Sequence, residues 1–362
     1  MKRGWWVASV ASLGSTGVVL AALATVCLAS GCSTLGYYAQ SARGHIDLVR
    51  AARPVSEWLA DPATPAALKE RLALTQRIRD FAVSELKAPD NASYRRYADL
   101  KRPAALWNVV AAPELSLALE TWCFPVVGCI AYRGYYAEAD AKAFADTLRA
   151  QGLEVAVYGV PAYSTLGLLP GAMFADPLLN TFIDYPEGEL ARLVFHELAH
   201  QVAFAKGDTV FNESFATAVE RIGGARWLAE RAGPAAREEY ERVEARRRDF
   251  RELTLRYRGR LDALYRSSAS AADQRRGKLA LLAELRAEHE QVKRERWGGY
   301  AGYDGWFARA NNAAFGVLAA YNELVPQFER LFEREGRDFE RFHAEVRRLA
   351  ALPAGERRAA LP

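Results

Sequence analysis

Leu193-Val194-Phe195-His196-Glu197-Leu198-Ala199-His200-Gln201-Val202-Ala203-Phe204 is the stretch that decides how this chain reads. With Leu190 and Ala191 ahead of it, it leaves almost no polar face on a helix expected over 187–205, and a helix apolar all round is a buried one. Its two imidazoles stand four residues apart and project from the same face, so both can reach one tetrahedral ion while Glu197 points aside toward the water such an ion activates. Burying an ionisable Glu and two imidazoles without partners is costly. One zinc ion supplies that partner. The competing reading is a pair of hydrogen-bonded core histidines; the remaining ones, His45, His289 and His343, lie in ordinary amphipathic surroundings.

A catalytic zinc needs a third protein ligand and one open position. A metzincin would have Gly at 203 and His at 206, followed by a methionine turn; here stand Ala203 and Lys206 with no later methionine, so that class is excluded. A short break at Lys206-Gly207-Asp208 leads into a second helix expected over 208–222, with Asp208 as its N-cap. Folding that helix back on the first would bring Glu213 to the ion. Asn212-Glu213-Ser214-Phe215-Ala216 resembles the segment that carries the third ligand in gluzincins, although the interval from His200 is shorter than in thermolysin-like enzymes. Glu220, two turns on along the same side, is the rival ligand or a group that hydrogen-bonds an imidazole from behind. Asn212 and Asp208 are placed with it behind the ligands, Asp208 being occupied in capping.

The chain has 362 residues, 51% of them hydrophobic and 25% charged, which is enough to bury a sizeable core and is not a disordered composition. Its 48 Lys plus Arg against 44 Asp plus Glu give a formal charge of +4, too weak a basicity to argue for nucleic acid. Lys2 and Arg3 precede an apolar run from Trp5 to Leu28 and then Leu28-Ala29-Ser30-Gly31-Cys32, the layout of a secretory signal. The ending resembles a lipobox, which implies cleavage before Cys32 and attachment of a diacylglycerol to it. The alternative is an uncleaved anchor helix. Ser33 stands where an inner-membrane retention signal has Asp, so the resemblance implies an anchor in the outer membrane, facing the periplasm. Of the four cysteines, Cys27 leaves with the signal and Cys32 carries lipid; Cys123 and Cys129 then read as a disulfide in an oxidising compartment rather than as half a metal site.

The expected organisation is a signal peptide over 1–31, an N-terminal helical layer over 32–100, an α+β core over 101–233, a long charged helical hairpin over 234–300 and a C-terminal helical region over 301–362. Short β-rich runs at Ala105 to Ala111, Val126 to Tyr132 and Glu154 to Val160 supply a small sheet, with one helix near Glu138 to Gln151. The fold class is therefore α+β, mostly helical with a small sheet.

Several segments together carry a more specific resemblance: Trp122-Cys123-Phe124-Pro125-Val126, Tyr132-Arg133-Gly134-Tyr135-Tyr136, Ala162-Tyr163-Ser164-Thr165-Leu166-Gly167, Asp176-Pro177, the motif helix, Phe211 to Ala216 and Asn311-Asn312-Ala313. They are similar to a family of bacterial lipoproteins called putative zinc aminopeptidases. That resemblance implies a gluzincin-like core, one zinc ion, a peptide substrate and cleavage from a free N-terminus. By analogy with thermolysin-like folds, Ala162 to Gly167 would pair with the substrate backbone, placing Tyr163, Ser164 and Thr165 beside it. Leu168 to Ala175 departs from the family pattern as a local insertion at the cleft rim. An envelope endopeptidase and a non-catalytic lipoprotein that uses the zinc to shape a partner-binding surface are the competing functions. Glu197 separates them, because a purely structural zinc site needs no carboxylate beside its first ligand. The oligomeric state is not readable from the chain.

Overall fold

The computed structural model of the chain describes residues 36–124, 128–162, 164 and 175–362. It divides into a short unit ending at Leu48 and a large one from Val49 to Pro362. The described residues of the short unit, 36–48, are helical and belong to α1 (36–51). The large unit begins with β1 (Arg53–Pro54), α2 (Val55–Ala60), α3 (Ala66–Ser84), β2 (Arg96–Ala98) and β3 (Leu106–Pro113). Then come β4 (Trp122–Phe124), β5 (Gly128–Ile130), β6 (Arg133–Tyr135), α4 (Glu138–Ala150), β7 (Leu153–Val160) and β8 (Leu178–Leu179). From there the chain is helical: α5 (Glu187–His200), α6 (Thr209–Glu230), α7 (Pro234–Tyr265), α8 (Ala271–Glu295), α9 (Asp304–Arg309), α10 (Asn312–Asn322), α11 (Val325–Arg334), α12 (Phe339–Ala350) and α13 (Ala354–Ala360). The fold is α+β and mostly helical, and none of its described helices is long and apolar enough to cross a bilayer.

The central sheet has the order β6-β3-β7, all antiparallel, with Val109 opposite Val157 and Trp107 opposite Tyr135. Helices α4 and α10 both pack on β3. Val110 and Ala112 face Ala313 of α10, while the alternate residues Val109 and Ala111 are equally buried. A strand covered on both faces has no solvated side, which is why this run is apolar almost without interruption. The run expected as one strand from Val126 to Tyr132 is divided. Gly128 to Ile130 turns back on β4, with Cys129 opposite Cys123 and joined to it by a disulfide, and only from Arg133 does the chain reach β3. Gly128 has φ of +80°, and a Cβ there would come within 3.1 Å of the Gly207 backbone, so this hairpin lies against the α5–α6 connection.

Helix α5 ends at His200, five residues before the expected Ala205, whereas α6 runs eight residues beyond the expected Ile222. Gly223 and Gly224 do not break α6, because each gives up its side chain for close packing. A Cβ at 223 would lie 2.6 Å from Leu86 Cδ1, and one at 224 would lie 2.7 Å from Arg192 Cγ. Around the pair, Phe81 of α3 contacts Phe195 and Trp227 with ring centroids 5.9 and 5.2 Å apart. Phe211 and Phe215 pack on Phe328 of α11, and Phe215 also packs on Phe342 and His343 of α12. Pro234 opens α7 where its missing N–H costs nothing, and the Ser270 hydroxyl caps α8. The two helices share a seam of Leu253, Tyr257, Leu261, Leu282 and Leu285.

His343 is 2% exposed, and burial, reinforced by Arg347, pulls its pKa from 6.5 to about 4. Below pH 6.5 the unfolded chain takes up a proton that the folded chain refuses, so this contribution to stability is present above pH 6.5 and lost as pH falls toward 4. His343→Phe should remove about 3 kcal/mol of that acid-side loss. Urea unfolding of both chains at pH 7 and pH 4.5 reads the difference directly; an unchanged pH slope in the variant would refute it.

Candidate metal centre

His196 and His200 occupy the last turn of α5, and Glu213 the second turn of α6. The two helices pack face to face. Because residues four apart share a helix face, both rings turn toward α6, with centroids 5.0 Å apart and planes at 84°. Glu213 Oε2 sits between them, 3.3 Å from His196 Nε2 and 3.8 Å from His200 Nε2. One ligand atom from each of the three residues lies within 4.8 Å of the others.

This convergence leaves one buried atom of the trio unsatisfied: Glu213 Oε2 is shielded from solvent and makes no hydrogen bond among the described residues. His200 Nδ1 is likewise without one, but on the other side of the ring from the Nε2 that faces Glu213. A buried carboxylate oxygen 3.3 and 3.8 Å from two imidazole nitrogens, without a well-aligned hydrogen bond to either, is a fitting arrangement for a set of ligands around a cation. Two of the three, His200 and Glu213, are held in the charge state a cation requires, and His196 would give up its proton on binding one. Burial lowers the pKa of His200 to about 4, which keeps it neutral with a lone pair free for a metal. Burial works against the charged form of His196 too, but the Glu213 and Glu220 carboxylates outweigh it and hold its pKa well above the ordinary value. Glu213 stays ionised, burial being overcome by the two histidines.

His196 is gripped from its other side. Glu220 Oε2 lies 3.0 Å from His196 Nδ1, and its second oxygen accepts from Arg192. Burial would raise Glu220, but Arg192 and His196 bring its pKa down to about 2. Glu197 lies between the two histidines in sequence and is partly buried; burial pushes it up to about 7 against the pull of His196, with Glu213 and Asp176 adding to the rise. The site therefore sets two kinds of carboxylate side by side. Glu213 and Glu220 are held as anions, and Glu197 is poised to exchange a proton near neutrality.

A family profile described as putative aminopeptidase matches residues 36–361. The chain belongs to that family. No curated protein matches it, and no solved structure does.

In this aminopeptidase-family chain the other residues expected at the site take several places. Asn212 and Asp208 do not touch the imidazoles in their described contacts; they shape the α5–α6 connection. The Asn212 amide receives the Ala205 N–H at 2.7 Å and donates to the Ala205 carbonyl at 2.9 Å, which explains why the chain leaves helical geometry before that residue. Asp208 Oδ1 caps α6 by accepting from the Phe211 N–H at 3.0 Å, and Oδ2 pairs with the buried Arg357 of α13 at 2.5 Å. Ser164 donates to Asp176 Oδ2 at 3.2 Å, and Gln201, directly after His200, donates to the same oxygen at 2.8 Å. Tyr163, Thr165 and Cys32 lie outside the described residues.

Two further groups lie near the site, Arg192 and Tyr94. Arg192 is the one Arg or Lys of α5 and lies one turn before His196, a signal carried by the sequence. Tyr94 was not signalled. Its hydroxyl is fully buried and makes no hydrogen bond among the described residues, and burial, with Glu197 and Asp176 nearby, pushes its pKa up. Its backbone has φ of +62° and donates to the Asp176 carbonyl at 2.6 Å.

Glu213→Ala should remove most of the bound divalent ion, whereas Glu220→Ala should weaken binding roughly ten- to a hundredfold, as loss of a group behind a ligand does. Metal content and competition with a chromophoric chelator decide between them. Full occupancy in the Glu213 variant with loss in the Glu220 variant would move the third ligand two turns along α6.

Proposed function

We propose that this chain is a zinc-dependent, gluzincin-like peptidase anchored by lipid at the bacterial cell envelope, and that it removes residues from the free N-termini of peptides. The observation that carries the reading is the convergence of His196, His200 and Glu213 beside Glu197, with Glu213 Oε2 buried and making no hydrogen bond among the described residues. Two neutral-capable imidazoles and one carboxylate are the donor set zinc takes at catalytic sites, where three protein ligands leave one position open. When bound, zinc supplies Lewis acidity that makes water a nucleophile at neutral pH and polarises the scissile carbonyl.

The chain's own residues do the rest. Glu197 takes the proton from the attacking water and passes it to the leaving amine, the role open to a carboxylate beside the first ligand. Glu220 keeps the His196 ring turned so that Nε2 faces the site. The apolar faces of α5 and α6 exclude bulk water, which strengthens each electrostatic contact inside. Exopeptidase action rests on membership of the aminopeptidase family. An envelope endopeptidase would use the same machinery, and a zinc lipoprotein that only binds a partner would leave Glu197 without a task.

Glu197→Gln should keep the metal and the fold but lose peptide hydrolysis by several orders of magnitude, because an amide cannot accept the water proton. Profiling on a peptide library with free and N-acetylated termini gives the companion result: only free termini should be cut. Retained hydrolysis in the zinc-loaded variant would defeat the assignment of the base, and cleavage of acetylated peptides would make the enzyme an endopeptidase.

The lipid anchor is supported by the lipobox-like Leu28 to Cys32. Acyl chains contribute about 0.8 kcal/mol per buried methylene, so lipid on Cys32 would hold the chain to the outer membrane without a spanning helix. Cys32→Ala should accumulate as an unprocessed precursor that takes up no radiolabelled palmitate. Label in that variant would rule the anchor out.

A further inference from the structure

The carboxylate that grips His196 is itself held from outside the α5–α6 pair. Arg192 is 4% exposed and spans two acids: Nη2 donates to Glu220 on α6, and Nη1 donates to Glu244 Oε2 on α7 at 2.7 Å. Nη1 also lies 3.2 Å from the Tyr240 hydroxyl on the same helix. Glu244 in turn accepts from Arg247 at 2.8 Å and Arg251 at 2.8 Å, and Arg247 reaches back to Glu189 at the start of α5. A continuous line of charge-assisted hydrogen bonds therefore runs from α7 through Arg192 and Glu220 to His196 Nδ1.

Two glycines make room for it. A Cβ at Gly224 would strike Arg192 Cγ at 2.7 Å, and one at Gly188 would strike the Tyr240 ring at 2.6 Å. The first gives the guanidinium stem its channel across α6, and the second lets α7 come close enough to α5 to deliver Glu244.

The physical need for such a line is specific. A ligating imidazole presents the correct nitrogen only when its other nitrogen is hydrogen-bonded, and the partner must not swing away. Glu220 has a long flexible side chain that is 18% exposed, so it does not hold its own orientation. A guanidinium is a rigid fork: with one nitrogen fixed on Glu244, the other can hold Glu220 at a set angle. Removing Arg192 would also leave two acids facing each other without a cation between them.

We propose that Arg192 and Glu244 are positioning residues for the metal centre, so that helix α7 sets the centre's affinity through Glu220 and His196 without touching the ion. This rests on reading His196, His200 and Glu213 as ligands. The test measures zinc affinity of the full mature chain by competition with a chromophoric chelator, together with the thermal midpoint of each metal-free protein. Arg192→Met should weaken zinc binding about ten- to a hundredfold, and Glu244→Gln about threefold or more. In a Glu220→Ala background, Glu244→Gln should have no further effect on affinity, since its route to the metal is already cut. If Arg192→Met does not fold, the milder Glu244→Gln, at a partly exposed position, carries the comparison alone. Lowered thermal midpoints with wild-type affinity would reduce the line to a structural brace and overturn the proposal. So would an equal loss of affinity from Glu244→Gln with and without Glu220. A wild-type chain that takes up no zinc would remove the metal reading itself, and the positioning role with it.

Discussion

Three ligand-type side chains are buried between two helices that bury long apolar stretches, and the rest of the large unit is arranged to make that tolerable. Helix α5 must be enclosed, because Leu190, Val194, Phe195 and Leu198 leave it no solvated face. Enclosure strips His196, His200 and Glu213 of water. They must then find partners in one another, in a cation, or in further polar groups brought from elsewhere. Two of these are visible: the three side chains converge on one another, and Glu220 with Arg192 arrives from behind His196. The buried Glu213 oxygen between the two rings is the group a cation would satisfy.

Placing the ligands depends on the eight residues between His200 and Thr209 as much as on the helices. The connection is held at four points by groups of different origin: Gln201 on Asp176, Asn212 on Ala205, Asp208 as the cap of α6, and the β4–β5 hairpin against Gly207. Arg357, near the far end of the chain, locks the cap itself by pairing with Asp208 and reaching the carbonyls of Leu349 and Leu352. The last short helix thus contributes to the start of α6 and so to the position of Glu213, one and a half turns on. A helix start fixed by a buried ion pair does not fray, and a ligand in its second turn inherits that rigidity.

What the sequence discloses about this molecule follows the range of the interactions. The motif helix is legible because its information lies within five residues, and Asp208 is legible as a cap because a cap is a local bond. The α+β class is legible because β3 and β7 are apolar at nearly every position and the helices carry their own periodicity. Helix ends set by distant partners are not legible. Gly223-Gly224 looks like a stop until Leu86 and Arg192 are seen to fill the space beside it, and Ala205 looks helical until the Asn212 amide is seen to take its backbone groups. The divided run after Val126 has the same explanation, since pairing of Cys129 with Cys123 competes with pairing to β3. Arg192 and Glu244 are 52 positions apart, and no pattern of spacing connects them.

The ion network around Arg192 is not explained by stability. Buried ion pairs seldom repay the desolvation of their members, and apolar groups of similar shape in their place are often neutral or better. The hydrophobic contacts that hold α3, α5 and α6 together are already present in Phe81, Phe195, Trp227 and their neighbours. A protein that needed only adhesion between α5 and α7 could use the Tyr240 face and Gly188, which meet without any charge. What apolar packing cannot do is fix the direction of a single imidazole, because dispersion contacts are insensitive to which ring nitrogen faces which neighbour. A forked cation between two carboxylates can. The charges of Arg192, Glu220 and Glu244 are therefore best understood as the means of orientation for His196, placed where an error of ring angle would cost the centre its third dimension of geometry.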